Sequence, residues 1–292
     1  MKRPSRYSAG FTLIEAIMTI VITGILAGIV AVFITKPVQG YADSVRRAEL
    51  TDAADVALRR ITRDVRLSLP NSLRVSGSCI EFIMTSTGGR YRDAADGSTG
   101  GDFFSFTSAA DVTFDVLGKT TNVAGASDYI AANDFMVIYN LGPGNAPADA
   151  YQAIGAGGNR AQVNSVSCAA APCTVTLAAN PYPSQSPPVA ASNANARFQV
   201  VPNATQAVTY ACSGGQLKRY AAYGFNTAQS CPPGGGSTIL AGSGNTTAAC
   251  AIDYSANATG RNGLLYIQLT LTDTPSSEAV TLFQQIHVDN SP

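Results

Sequence analysis

The stretch Gly10-Phe11-Thr12-Leu13-Ile14-Glu15, with the apolar run that continues to Thr35, decides how this chain is built. The run from Phe11 to Thr35 holds about 25 residues. As an α-helix it would be about 37 Å long, enough to cross a bilayer core of about 30 Å. Its only formal charge is Glu15. An ionisable group inside such a segment costs about 2.5 to 3.5 kcal/mol on insertion scales, so we expect Glu15 to have a cationic partner.

A short basic leader precedes this run. Lys2, Arg3 and Arg6 carry its positive charges, which by the positive-inside rule hold the leader in the cytoplasm. An ordinary signal peptide has an apolar core of about 7 to 15 residues, with small residues at a cleavage site after it. Here the small residues Ala9 and Gly10 come before the apolar run, so the order is inverted.

This order resembles the class III signal of type IV prepilins and type II secretion pseudopilins, in which Gly-Phe and then Thr-Leu-Ile-Glu open a long apolar helix. The resemblance implies that a prepilin peptidase cleaves after Gly10 and methylates the new amino terminus of Phe11. It also implies that Glu15 pairs with the amino terminus of a neighbouring subunit. That is the kind of cation which the physical argument requires. An ordinary signal anchor is the alternative.

Composition limits the classes of function. The 292 residues suffice for one large or two small domains, and removal of the leader takes three of the 19 basic residues from a chain that has 19 acidic ones. No basic patch is left to follow a phosphate backbone, so we expect no nucleic-acid binding. Six cysteines behind an export-type segment predict an oxidising compartment and disulfides.

The helix should continue beyond the apolar run as an amphipathic segment. Ala54, Leu58, Ile61 and Val65 form one helical stripe. Pro70 disfavours helical geometry in the residue before it, so the helix should end by Leu69. The other faces carry Arg59, Arg60, Arg63 and Arg66, which we interpret as a solvated face; contact with anionic lipid is the alternative.

A proline lies within the predicted helix. Pro37 is the first proline after the leader, and Gly40 follows closely. We therefore expect any kink or melted turn between Pro37 and Gly40.

Alternating patterns and turn residues from Ser78 onward predict β-structure. Strands are expected at 80–84, 112–116, 135–139, 198–201, 207–212, 216–220, 264–273 and 278–288. The last two should form an antiparallel pair, because Leu265, Ile267, Leu269 and Leu271 alternate with polar residues and a turn at Thr274-Pro275-Ser276 follows. The stretch 142–196 is dense in Gly, Ala, Asn and Pro, which predicts long ordered loops and short hairpins.

This order of elements predicts an α+β fold, in which an antiparallel sheet covers the second half of a long amino-terminal helix. It is also the pilin fold that the resemblance implies. The predicted segments are a cleaved leader at 1–10, a transmembrane or filament-core helix half at 11–36, an amphipathic half at 37–69, and a β-rich head at 70–292 with a loop-rich insertion at about 142–196.

No catalytic centre or cofactor site is predicted. The only histidine, His287, lies on the strand face opposite Val280 and Ile286, and nucleophile-elbow, phosphate-loop and zinc-protease motifs do not occur. We therefore expect no enzymatic activity, no cofactor and no metal. Asp93, Asp96 and Asp102 share a glycine-rich loop that could hold calcium, but the spacing of an EF-hand is absent and we favour a solvated loop.

The cysteines form one close pair and one ambiguous group. Cys168 and Cys173 lie close together in a turn-rich stretch, which predicts a local disulfide. The remaining four, Cys79, Cys212, Cys231 and Cys250, allow three connectivities. We favour Cys212 with Cys231 across a Pro-Pro-Gly loop, and Cys79 with Cys250 by elimination.

A narrower resemblance covers scattered segments of the last hundred or so residues. The segments 208–212, 217–220, 263–265 and 286–290 resemble the minor pilins of the MSHA biogenesis system, the MshO type. The related PilW and GspJ minor pilins and pseudopilins share the overall plan. The resemblance implies a minor pilin that takes part in initiating a type IV pilus and lies at or near its tip. Its partners would be major and minor pilins, the prepilin peptidase and the inner-membrane assembly platform. It would start in the inner membrane, with its head in the periplasm, and end in an extracellular pilus. A type II secretion pseudopilin and a tip adhesin are the alternatives.

Overall fold

The computed structural model describes residues 10–92, 101–153, 155–188, 196–256 and 262–292. Two compact units meet between Glu49 and Leu50. The amino-terminal unit holds the first part of helix α1 (Leu13–Arg66), and the unit from Leu50 holds the rest of the chain. The fold is α+β, as predicted.

Helix α1 is continuous from Leu13 to Arg66, with Pro37 inside it. The melted turn that we considered between Pro37 and Gly40 is therefore not present. At its carboxyl end, the N–H groups of Leu67 and Ser68 donate to the carbonyls of Asp64 and Val65, and the chain leaves the helix ahead of Pro70.

Strands make up most of the second unit. In chain order they are β1 (Arg74–Ser76), β2 (Cys79–Ile83), β3 (Thr87–Tyr91), β4 (Thr113–Leu117), β5 (Phe135–Val137), β6 (Arg160–Ser167), β7 (Cys173–Leu177), β8 (Arg197–Val201), β9 (Ala207–Ser213), β10 (Gln216–Ala221), β11 (Ser237–Ala241), β12 (Thr246–Ser255), β13 (Asn262–Asp273) and β14 (Ala279–Asp289). They form a five-stranded sheet in the order β1-β2-β9-β10-β11, a three-stranded sheet in the order β12-β13-β14, and a closed barrel in the order β3-β4-β7-β6-β5-β8.

The carboxyl end of α1 packs into the main hydrophobic core. The predicted stripe of Ala54, Leu58, Ile61 and Val65 is buried there, together with side chains from both open sheets. The predicted antiparallel pair at the carboxyl terminus is confirmed, since β13 and β14 pair in a continuous register from Asn262–Asp289 to Thr272–Ala279. The alternating apolar residues of β13 are buried in this core, as predicted; they are Leu265, Ile267, Leu269 and Leu271.

The barrel was not predicted. Strands β6 and β7 lie within 142–196, where we expected long loops and short hairpins, and they form a hairpin that contributes two of the barrel strands. The barrel has a core of its own, rich in aromatic rings that meet edge to face. Phe104 and Phe114 have ring centroids 5.1 Å apart, and Phe114 and Phe198 have centroids 5.7 Å apart.

Three disulfides are present, and two of them correct our expectation. Cys168 pairs with Cys173, as the spacing suggested, but Cys79 pairs with Cys231 and Cys212 pairs with Cys250, with Cα atoms 5.7 and 5.8 Å apart. The reason is strand register. Cys79 lies opposite Ala211 in the β2–β9 pair, so Cys79 and Cys212 point to opposite faces of the sheet. Cys212 and Cys250 both pack against the main core, whereas Cys79 lies in a separate small cluster.

Candidate functional site

The candidate site is the start of α1. Thr12 precedes the first helical residue, and its Oγ1 accepts a hydrogen bond of 3.4 Å from the N–H of Glu15. This contact satisfies one of the amino-terminal N–H groups that a helix leaves without an internal partner. The Glu15 carboxylate lies in the first turn, where the helix dipole favours a negative charge. Thr12 thus fixes the helix start, with Gly10 and Phe11 just outside it.

The apolar surface of this segment is not covered by the rest of its unit. Phe11 is 74% exposed, Leu13 is 81% exposed, and the apolar side chains onward to Val38 are exposed as well. Within the described residues, α1 is the one helix long and apolar enough to cross a membrane, and its apolar window has a mean hydropathy of 2.8. Such a surface requires lipid or other apolar helices around it.

Glu15 is the exception among the polar groups of this segment. The hydroxyls of Thr19, Thr23 and Thr35 each donate to a carbonyl one turn earlier in the helix, for example Thr19 to Ala16 at 2.9 Å. These groups are therefore satisfied inside the helix, as an apolar environment demands. Among residues 10–92 and the other described segments, no side chain donates a hydrogen bond to the Glu15 carboxylate. Its partner has to come from outside this part of the chain.

Gly24 and Gly28 lie on one side of the same helix. A Cβ atom placed on either glycine would meet nothing within 4 Å, so the space beside both is open. Small residues four apart allow a neighbouring helix to approach closely. The segment therefore offers one ionic contact and one close-packing surface to a neighbour.

Near the carboxyl end of α1, a buried acidic residue that the sequence patterns did not single out joins the helix to the five-stranded sheet. Asp64 is 1% exposed; it accepts hydrogen bonds from Nε of Arg219 at 2.9 Å and from the hydroxyl of Tyr210 at 2.7 Å. Burial, reinforced by Asp64, raises the pKa of Tyr210 above its ordinary value. Burial lowers the pKa of Arg219, but Asp64 and Tyr210 together outweigh that effect and leave the pKa raised. The one indication of this buried site in the sequence was that Asp64 directly precedes Val65 of the apolar stripe.

A second buried pair lies beside β1 and β2. The Arg74 guanidinium makes two contacts of 3.1 Å with the carboxylate of Glu81, and it stacks 3.8 Å over the ring of Tyr151. The hydroxyl of Tyr223 donates to the same carboxylate at 3.2 Å. Burial, with Glu81 adding to it, raises the pKa of both Tyr151 and Tyr223. Every polar group in this cluster is engaged within the fold, which indicates a structural role.

The remaining residues from the sequence do not assemble into a site. His287 is exposed on the outer face of β14. Within the described residues, no group of three or more His, Cys, Asp or Glu side chains could hold a metal ion. Asp102 lies in the described part of the chain, whereas Asp93 and Asp96 lie outside it, as do Lys2, Arg3 and Arg6 of the leader. The arginines of the amphipathic helix segment that we interpreted as solvated include Arg59 and Arg63, which are 79% and 72% exposed.

Comparison with known families identifies one motif. A family model for the prokaryotic N-terminal methylation motif matches residues 5–31, which include Gly10, Phe11 and Glu15. No match was found among curated proteins or among solved structures. The motif and the apolar helix that follows it support a type IV pilin-like protein anchored in the inner membrane. They also imply processing by a prepilin peptidase and assembly with other pilins.

Proposed function

We propose that this chain is a minor pilin, of the MSHA type, that takes part in initiating a type IV pilus and lies at or near its tip. The observation that carries the proposal is the Glu15 carboxylate, which has no partner in the described residues and follows the matched Gly10–Phe11 junction in an exposed apolar helix. An ionised group in that position requires a cationic partner, which we assign to the amino terminus of another subunit.

The proposed mechanism has two stages. In the membrane, the apolar helix holds the subunit before assembly, and cleavage has freed the amino terminus of Phe11. During extraction, Glu15 pairs with the amino terminus of a neighbouring subunit, in surroundings where a charge pair is screened far less than in water. The same contact that removes the cost of a lone carboxylate therefore also sets the position of the new subunit.

The head supports a minor rather than a major subunit. It contains a barrel with its own core in addition to the two open sheets that pack on α1. The segments that resemble the MshO type fall on β9, β10, β13 and β14, which are strands of the two open sheets. A subunit already ahead in the filament must supply the amino terminus for Glu15. We therefore place this chain just beneath the tip.

The test replaces the carboxylate and leaves the helix intact. Glu15→Ala and the uncharged isostere Glu15→Gln should both lower incorporation and the number of pili, while the head keeps its disulfides and its unfolding midpoint. Ile14→Val, next to it in the same turn, is the matched control and should assemble normally. Normal pilus numbers in both Glu15 variants would refute the role assigned to this residue.

Two other functions remain as candidates. A pseudopilin of a type II secretion system would use the same motif, and its deletion would abolish secretion of exported enzymes rather than pili.

A tip adhesin is favoured by the barrel, whose core is separate from the one that holds α1. Replacing residues 85–205 with a short turn removes the barrel, because Ile83 and Ala207 are already paired neighbours. Loss of surface binding with normal pili would support the adhesin, and loss of pili would support initiation.

A further inference from the structure

Strand β14 forms an open edge of the three-stranded sheet. It has 11 residues, pairs with β13 along its whole length, and has no strand on its other side among the described residues. The opposite edge strand, β12, is partly covered. The N–H of Ala248 donates to the carbonyl of Gly215 at 2.7 Å, and Cys250 is bonded to Cys212. The two edges of this sheet therefore differ: β12 has an outward N–H group bonded to the turn between β9 and β10 and a disulfide to β9, whereas among the described residues β14 has neither on its outer side.

The register shows which backbone groups are unpaired. The N–H of Asp273 donates to the carbonyl of Glu278 at 2.8 Å, at the end of the β13–β14 ladder. Because hydrogen-bonded pairs alternate along antiparallel strands, Val280 and every second residue after it bond to β13. Thr281, Phe283, Gln285 and His287 consequently direct their N–H and C=O groups away from the sheet.

The side chains of β14 do not protect this edge. Apart from Asp289 at its last position, β14 has no lysine, no acidic residue, no proline and no break in register, which are the features by which edge strands usually avoid pairing. Val280 and Leu282 on the inner face are only partly buried. On the outer face, Phe283 is 59% exposed and lies beside Tyr266, with ring centroids 6.0 Å apart. Both faces thus present apolar surface at the unpaired edge.

We infer that β14 accepts a β-strand from a different subunit of the assembly, an extended and uncharged segment with apolar side chains at alternate positions. The identity of the partner as another subunit rests on the proposed function. A helix or a membrane surface could cover Leu282 and Phe283, but either would leave the outward N–H and C=O groups without partners. An added strand pairs with these groups and covers the apolar side chains together.

The first test removes one outward N–H group. Gln285 is exposed, and its N–H points away from β13, so Gln285→Pro deletes a donor needed by an incoming strand without deleting one that pairs with β13. Gln285→Ala removes the same side chain but keeps the N–H. In cells that express the full chain, we expect Gln285→Ala to enter sheared pili at the wild-type level and Gln285→Pro to enter at least about ten-fold less. Equal incorporation of the two variants would overturn the inference.

The second test does not depend on how well the proline variant folds. Hydrogen exchange of the peptide that spans 279–289 is compared between the wild-type full chain alone in detergent and the same chain in isolated assemblies. The outward amides should exchange quickly in the free chain and slowly in the assembly. Fast exchange in both states would overturn the inference, and so would a purified full chain that dimerises through β14 on its own, because the partner would then be a second copy.

These outcomes can be separated from those for Glu15. Normal piliation by the Glu15 variants would remove the docking role of the amino-terminal segment, but protection of the β14 amides would still show strand addition. Loss of piliation by the Glu15 variants, together with unprotected β14 amides, would leave the proposed function and remove only the strand-addition site.

Discussion

The buried Asp64 gives the sharpest test of how α1 is held in the head. Its carboxylate is 1% exposed and accepts from Arg219 at 2.9 Å, from Tyr210 at 2.7 Å and from the mostly exposed Arg63 at 3.2 Å. The perturbation is Arg219→Met, which keeps the aliphatic volume and removes the charge. Asp64 then stays buried with only Tyr210 and Arg63 as partners.

The size of the effect follows from these contacts. Removing one partner of a buried ion pair costs about 3 to 5 kcal/mol, because the other charge is left without compensation. Since two partners remain, we expect the lower end, a loss of about 3 kcal/mol in the free energy of unfolding. Arg63→Met is the control. Its side chain is 72% exposed, and exposed pairs contribute about 1 kcal/mol or less.

The assay is urea unfolding of the full chain in detergent, with its disulfides intact. The chain has no tryptophan, so near-ultraviolet circular dichroism reports the packing of the tyrosines. The double variant Asp64→Leu with Arg219→Met removes both charges and should be more stable than Arg219→Met alone. A loss below about 1 kcal/mol for Arg219→Met, or a double variant less stable than the single one, would refute the assigned role of this pair.

Three further predictions follow from the head. Peptide mapping without reduction should recover Cys79 linked to Cys231 and Cys212 linked to Cys250; a peptide linking Cys212 to Cys231 would contradict the register argument. A Cβ on Gly89 would lie 2.8 Å from Cζ of Phe198, so Gly89→Ala should cost about 1 to 3 kcal/mol, and Phe198→Leu should restore part of that loss. The third prediction concerns pH. Burial raises the pKa of five described tyrosines, least for Tyr254 and most for four others, so the stability they contribute is complete below about pH 10 and is lost as the pH rises toward their folded-state pKa values. The unfolding midpoint should fall above about pH 10, and a midpoint that stays constant to about pH 11.5 would contradict this. The four with the larger shifts are Tyr151, Tyr182, Tyr210 and Tyr223.

The parts of the fold that the sequence predicted are those set by local patterns. The apolar run, the stripe through Leu58 and Ile61, and the alternation along β13 each depend on residues close together in the chain. The proposed docking role of Glu15 rests on the same kind of evidence, because a lone carboxylate in an apolar helix can be recognised without knowing any tertiary contact. The roles that we propose for Gly10, Phe11 and Glu15 could therefore be predicted from the sequence alone.

The parts that were missed depend on contacts between distant residues. The pairing of Cys79 and Cys231 follows from the face of β2 on which Cys79 lies, and that face is fixed only when β2 pairs with β9. Asp64 was not singled out from the sequence, because its partners Tyr210 and Arg219 lie on strands far along the chain. The helical periodicity predicts which positions face the core, but it does not predict which side chains from distant strands hydrogen-bond to a polar residue there.

The barrel is the clearest case of such a miss. Its place in the chain explains why the predicted insertion at about 142–196 is shorter than the segment that forms the barrel. Strands β2 and β9 are neighbours in the five-stranded sheet, with Ile83 opposite Ala207, yet every barrel strand lies between them in sequence. The insertion therefore begins just after β2 and ends just before β9, well outside the 142–196 boundaries. The barrel also packs back on the sheet, because Tyr151 donates to the carbonyl of Ser72 at 2.9 Å and shares a buried cluster with Ile83 and Ala207. Deleting only 142–196 would remove β6 and β7 from a closed barrel and disrupt this cluster. A loss of pili in that variant would then report misfolding. Replacing 85–205 instead removes the barrel strands as a set and keeps Ile83 paired with Ala207, so a loss of pili in that variant supports initiation provided that the Cys79–Cys231 and Cys212–Cys250 disulfides still form.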